Sequence, residues 1–332
     1  MLLLFTLVMG ILTSISSNSW LGVWVGLEIN LLSFIPLMLN MKNLLTTESS
    51  LKYFLIQAIA SLSFLFMIFM KMMIENYMSF ISQYFSLIVA IPFLLKSGIA
   101  PMHWWFPSVM EGLSWSNCLI LMTLQKIIPM MIISYLLDFN LISKTFILLS
   151  TIIGSIGGFN QVSIRKLLAY SSINHMGWML SAIFMSNSIW LIYFTIYTLS
   201  ISTLILILST SKISFINQTS LNNSNILTKI MIFTALLSLG GLPPLLGFMP
   251  KWIIIQFLAQ NNLFFMSITM IVVSLMTLFF YLQICYSTFL ISFMSPKWNN
   301  WMNKIQLNSL NLILAFISIT GLMSITLIVT IF

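Results

Sequence analysis

Charge is the scarcest property of this chain. Of its 332 residues only 5% are Asp, Glu, Lys or Arg, and only five are acidic. A soluble domain carries about 25% charge, so a water-facing surface of ordinary size cannot be built from this composition. Histidine and cysteine are equally rare, with two of each. Cys118 and Cys285 stand alone in apolar runs, with no Cys-x-x-Cys and no metal-ligand spacing. They read as small buried hydrophobes, and the chain offers no ligand set for an iron–sulfur cluster or haem. Polar stretches are short: the longest polar connection runs from Lys212 to Lys229, rich in Asn and Ser. The start, Met1-Leu-Leu-Leu-Phe-Thr-Leu, lacks a basic or Arg/Ser-rich leader, so it is expected to be part of the first span and to remain in the mature protein.

What fills the chain is apolar: 60% of it is hydrophobic. The expected fold is an all-α polytopic membrane protein. At about 20 residues per span, the length admits roughly ten to twelve helices. Eleven apolar segments are legible, at 2–17, 20–40, 52–74, 80–100, 115–137, 143–162, 167–186, 188–210, 229–258, 263–292 and 308–331. The formal charge of +8 would suggest nucleic acid in a soluble protein. Here the basic residues are thinly spread over the connections, and topology is the stronger reading. Lys42, Lys52, Arg165, Lys166, Lys212, Lys229, Lys297 and Lys304 fall on the side of the N-terminus, against Lys71 and Lys144 on the other. That bias makes the N-terminal side cytoplasm-equivalent, the matrix in a mitochondrion, and an odd number of spans puts Phe332 on the opposite face.

Two segments break the apolar pattern. The fourth, Leu87 to Trp105, holds Lys96-Ser-Gly-Ile-Ala-Pro101; the ninth, Leu236 to Trp252, holds Gly240-Gly-Leu-Pro-Pro244 and Pro250-Lys251. Each sets a cation beside Gly and Pro inside an apolar run. Irregular backbone at membrane depth survives only when buried in protein or lining a wet cavity. Paired breaks are a pointer to an ion path in a repeat-built transporter. Spans four and nine are five apart and cross in opposite directions. That predicts inverted five-helix repeats over 1–137 and 143–292, a final helix at 308–331, and a single integral membrane domain over 1–332.

The candidate chemistry lies in the few ionisable groups within spans. Lys96, Lys126 and Lys251 are cations in apolar segments, expensive there and functional by default. Lysine releases its proton when buried far more readily than arginine. Glu28, in the second span, would be held ionised by Lys96 or Lys126. The bland reading of each lysine is a side chain snorkelling to the interface, and of Glu28 a helix–helix contact; one shared pathway explains all four together. His175, inside the seventh span, is open to two readings, a packing residue or a proton relay. His103 and Glu111 flank the fourth span's exit and read as loop structure. Gly154-Ser-Ile-Gly157-Gly158 has no preceding strand and reads as helix packing rather than a nucleotide turn. Asn217-Gln-Thr219 and Asn222-Asn-Ser224 match a glycosylation sequon by chance, on the positive side.

Lys96-Ser-Gly-Ile-Ala-Pro-Met-His-Trp-Trp-Phe-Pro-Ser-Val-Met-Glu-Gly112 resembles the broken-helix motif of the antiporter-like membrane subunits of respiratory complex I. Asn160 to Gly177 resembles that family's mid-chain motif, and Gly240 to Trp252 its second broken helix. The resemblance covers essentially the whole chain. It implies a proton relay in which Glu28 pairs with Lys96, Lys126 is the central lysine, His175 connects and Lys251 ends the row. It implies a membrane-arm subunit of a proton-translocating NADH:ubiquinone oxidoreductase. FMN, iron–sulfur clusters and ubiquinone would sit in other subunits, with none bound by this chain. The implied partners are antiporter-like chain 4 on one side, small membrane chains 4L, 3 and 6 on the other, accessory subunits and lipids such as cardiolipin. The implied location is the mitochondrial inner membrane, with the N-terminus in the matrix and the C-terminus in the intermembrane space. Two departures stand out: eleven spans against the family's fourteen, as in shortened mitochondrial forms, and Ser108 where an acidic residue often follows the proline. The alternatives are a cation/proton antiporter subunit and a structural bridge that moves no net proton.

Overall fold

A computed structural model describes residues 1–40, 43–75, 82–221 and 226–290, together with Phe316. The predicted final helix at 308–331, Lys42, Lys297, Lys304 and the second sequon lie outside the described residues. The described chain is helical almost throughout. Its helices are α1 Leu2–Ser16, α2 Trp20–Met38, α3 Leu44–Glu75, α4 Ser82–Ser97, α5 Trp105–Gly112, α6 Trp115–Met122, α7 Leu124–Leu136, α8 Leu141–Ile156, α9 Ile164–Ile183, α10 Asn187–Ser211, α11 Ile216–Leu221, α12 Ile226–Gly240, α13 Phe248–Gln260 and α14 Phe264–Leu290. Among the described residues, five stretches are long and apolar enough to cross a membrane, at Trp20–Met38, Leu44–Met73, Trp115–Leu136, Asn187–Ser211 and Phe264–Tyr286. Leu2–Ser16, Ser86–Ser97, Leu141–Ile156 and Thr228–Gly240 are shorter apolar helices. With water absent from a bilayer core, a helix is the way a single segment satisfies its own backbone, and this composition leaves no other.

The chain divides into two compact units, Met1–Leu149 and Ser150–Phe332. In the first, α1 and α2 cross closely over small residues. A Cβ on Gly26 would come within 2.7 Å of the Ser14 backbone nitrogen, and one on Gly10 within 3.0 Å of the Asn30 nitrogen. Apolar helices in lipid gain nothing from hiding oil from oil, so close backbone approach supplies the association. In the second unit, α9 is buried along nearly its whole circumference, from Ile164 to Ile183. It has Ser171, Ser172, Asn174 and His175 in one stretch of two turns, which a helix facing lipid could not hold. Gly154 of α8 lies directly on it: a Cβ there would sit 2.5 Å from the Asn174 nitrogen. The glycine run is therefore a packing surface.

Among the described residues, three spans are interrupted rather than two. The fourth breaks after Ser97 and the ninth after Gly240. The fifth, read from sequence as one segment over 115–137, is interrupted at Thr123, where φ is −115° and ψ −79°. Lys126 thus lies in the first turn of a new helix instead of the middle of a continuous one. The third span also starts earlier than expected, at Leu44, and in its first part Lys52 pairs with Glu48 one turn before it on an exposed face.

Candidate functional site

The first break ends α4 with a left-handed Gly98, at φ +72°. The Ile99 N–H donates to the Leu94 carbonyl at 3.0 Å and the Gly98 N–H to that of Leu95 at 3.1 Å. This is the Schellman arrangement, which closes a helix end on its own carbonyls. Two side chains complete it: the Trp105 indole N–H donates to the Leu95 carbonyl at 3.0 Å and the Gln57 amide to that of Lys96 at a long 3.4 Å. Lys96 lies in the last turn, at the negative end of the α4 dipole.

Lys96 and Lys126 are 7% and 2% exposed and line one small cavity of about 20 Å³. Asn30, Tyr53, Gln57, Ser97 and Gln125 share its wall. A hydrogen-bonded chain crosses that wall. The Tyr53 hydroxyl donates to Gln125 Oε1 at 3.3 Å, and Gln125 Nε2 donates to Asn30 Oδ1 at 2.8 Å. The Lys126 ammonium stands 4.8 Å from the centroid of the Phe106 ring, whose face favours a cation. Glu28 is half-buried on α2, and no close salt bridge joins it to Lys96 among the described residues.

The second unit holds the remaining candidates. α12 ends in another Schellman cap. Gly241 is left-handed at φ +80°, the Leu242 N–H donates to the Leu237 carbonyl at 3.3 Å, and the Gly241 N–H donates to that of Ser238 at 3.1 Å. Lys251, 4% exposed, starts from the first turn of α13 and reaches back to donate to the Gly240 carbonyl at 2.9 Å. Its ammonium also stands 5.9 Å from the Trp178 ring centroid, one helical turn along α9 from His175. His175, 6% exposed, has Nδ1 2.9 Å from the Tyr193 hydroxyl and its ring 5.1 Å from that of Tyr197. Asn174 Oδ1 and Trp178 Nε1 are buried there without a hydrogen-bond partner among the described residues. Polar atoms left so in a protein interior mark places for water. His103, in the first break, has Nδ1 3.1 Å from the Pro101 carbonyl and stacks on Trp104, which agrees with a loop role.

Glu28, Lys96 and Lys126 are therefore grouped in one unit, and His175 and Lys251 in the other. Sequence reading missed Asn30, Tyr53, Gln57, Gln125, Tyr193 and Tyr197. A signal was present. Tyr53 and Gln57, like Tyr193 and Tyr197, are spaced by four and so share a helix face. Asn30 and Gln125 stand beside ionisable residues that were noticed. Polar groups in spans face the interior, and that rule applied to amides and phenols would have found them.

Residues 17–277 match the family model described as NADH:quinone oxidoreductase/Mrp antiporter, TM, and residues 278–331 match that of the NADH dehydrogenase subunit 2 C-terminus. A curated relative from Anopheles gambiae, named NADH-ubiquinone oxidoreductase chain 2, is 52% identical over 332 residues, covering 98% of this chain and 96% of the relative. The chain belongs to the NADH-ubiquinone oxidoreductase chain 2 family. A chain 2 relative from Locusta migratoria is 41% identical over 326 residues, covering 97% of this chain and 94% of its own. In fold, the chain is similar to one in a structure titled respiratory complex I from Thermus thermophilus with bound aureothin. That likeness has a TM-score of 0.82 at 22% identity and covers 96% of this chain and 78% of that one. The chain 2 assignment agrees with the resemblance carried by the two broken-helix motifs.

Proposed function

We propose that this chain is a membrane-arm subunit of a proton-translocating NADH:ubiquinone oxidoreductase and that its buried lysines carry the proton relay. The observation that supports this best is the cavity shared by Lys96 and Lys126. Two lysine side chains line one polar space, whose wall includes Asn30, two residues from Glu28 on α2. A pair of like groups in one small space titrates as a unit, so a change in the field of one is felt by the other. In this reading a charge change arriving from a neighbouring subunit weakens the hold of Glu28 on Lys96. Lys96 then passes its proton toward Lys126, and His175 and Lys251 continue the row. The half-helix ends at the two breaks bias the charges through their dipoles.

The inverted five-helix repeats, the matrix-side N-terminus and the mitochondrial inner membrane belong to this same reading. So do neighbouring chains 4, 4L, 3 and 6, accessory subunits and cardiolipin. Flavin, iron–sulfur clusters and quinone would be held by other subunits. Native purification of the complex that contains this chain tests it. Co-purification with flavin-containing, sodium-independent NADH–quinone reduction supports the reading. A flavin-free complex that exchanges sodium for protons would overturn it in favour of the antiporter side of the family.

A further inference from the structure

One side chain in the wall of the first site joins α2 to α3 and has no part in the relay. Gln125 is the second residue after the interruption at Thr123 and the residue before Lys126. A fresh helix start has no preceding turn to hold it. Pro129, one turn on, has no N–H to give the Gln125 carbonyl. Both ends of the Gln125 amide are nonetheless tied, the oxygen to Tyr53 on α3 and the nitrogen to Asn30 on α2. Asn30 is 3% exposed and Tyr53 2%. All three side chains line the cavity between the lysines, and its 20 Å³ is room for about one water.

We propose that Gln125 is a positioning residue: anchored by Tyr53 and Asn30, it orients a single water between Lys96 and Lys126. This rests on the relay reading and specifies one step of it. An N–H bond breaks on the charged lysine as an O–H bond forms on the water. One of the water's own O–H bonds breaks as an N–H bond forms on the neutral lysine. One positive charge moves and no electron is gained or lost. The water must accept from one ammonium and donate to the other amine, so its orientation governs the rate. The amide takes no proton itself. It supplies a fixed dipole on the wall, from which the water cannot turn away, and it keeps the first turn of α7 against α2.

The test uses the intact oxidoreductase in sealed vesicles. The readouts are the amount of assembled complex, coupled NADH–quinone turnover per complex and the solvent deuterium isotope effect on that turnover. Gln125→Met keeps the length and volume and removes both hydrogen bonds. Turnover per complex is expected to fall about tenfold, less than the roughly hundredfold that a misplaced reacting group can cost, and the isotope effect to rise about twofold as proton transfer becomes limiting. Less complex with a native isotope effect in the remainder would show a structural role only and overturn the proposal, as would native turnover. If Gln125→Met fails to assemble, Tyr53→Phe decides. It keeps the ring packed edge-on against Phe34 at 5.2 Å and deletes one hydroxyl. A raised isotope effect supports the proposal and an unchanged one overturns it. Lys126→Met, measured in parallel, separates the two claims. Native turnover in that variant sinks the relay itself. Lost turnover there beside a native Gln125→Met sinks only the role of Gln125.

Discussion

The two broken spans end in the same way and use their lysines differently. Both α4 and α12 stop on a left-handed glycine with the paired backbone bonds of a Schellman cap. Both place an ammonium at the negative end of a half-helix. In the first break the lysine is part of the helix that ends, and the carbonyls are capped by backbone, an indole and an amide. Lys96 is thereby left to the cavity. In the second break the lysine comes from the helix that follows and is itself a cap, on Gly240. One lysine is placed for chemistry by other residues, whereas the other combines chemistry with holding the break together. The same electrostatic end is reached by two local solutions, so substitutions at matching positions should not behave alike.

The sharpest difference is in how tightly each break is folded. A Cβ on Gly247 would lie 1.8 Å from the Ser238 carbonyl oxygen, far inside van der Waals contact, and that neighbour is backbone. On Gly98 the nearest atom would be the Phe106 Cβ at 3.2 Å, a side chain with some freedom. Gly247→Ala is therefore expected to abolish accumulation of the assembled complex. Gly98→Ala should cost about 1–2 kcal/mol for its left-handed backbone and leave reduced but measurable complex. Native gel quantitation reads both. Equal accumulation would mean the two breaks are equally forgiving.

Next come the lysines. Lys251→Met removes a charged donor from a buried carbonyl, a loss of about 1.5–3 kcal/mol, together with the charge. Lys96→Met removes a charge from a cavity whose helix end is capped by other groups. Lys251→Met should lower both the amount of complex and its coupled turnover. Lys96→Met should leave assembly largely intact and impair turnover. Assembly lost in Lys96→Met, with normal coupling in what remains, would erase the distinction and count against the relay.

The breaks themselves were legible because Gly and Pro beside lysine in an apolar run have few other meanings. The all-helical membrane class was legible from an apolar composition with little charge. The interruption at Thr123 was not legible. Leu121-Met-Thr-Leu-Gln carries no Gly or Pro, and Pro129 lies a turn and a half beyond. At that point the Thr123 hydroxyl donates to the Leu119 carbonyl at 2.7 Å, while α7 packs on α4 and ties to α2 through Gln125. The capping role of Lys251 was equally hidden. Sequence shows that a lysine follows a break but not that its chain turns back eleven residues to the carbonyl it serves.

The smallest expected effect concerns the cap that spares Lys96. Trp105 gives its indole N–H to Leu95 while its ring lies against Tyr53, with centroids 6.0 Å apart. Trp105→Phe keeps an aromatic ring there and deletes the donor, at a cost of about 1 kcal/mol. The Leu95 carbonyl keeps the Gly98 N–H, so the cap is thinned rather than removed. The expected result is a few degrees' loss of thermal stability in the purified complex, with near-native turnover. If turnover falls as far as in Lys96→Met, the freed carbonyl has captured the neighbouring ammonium. The first break would then work as the second does, with its lysine as the cap.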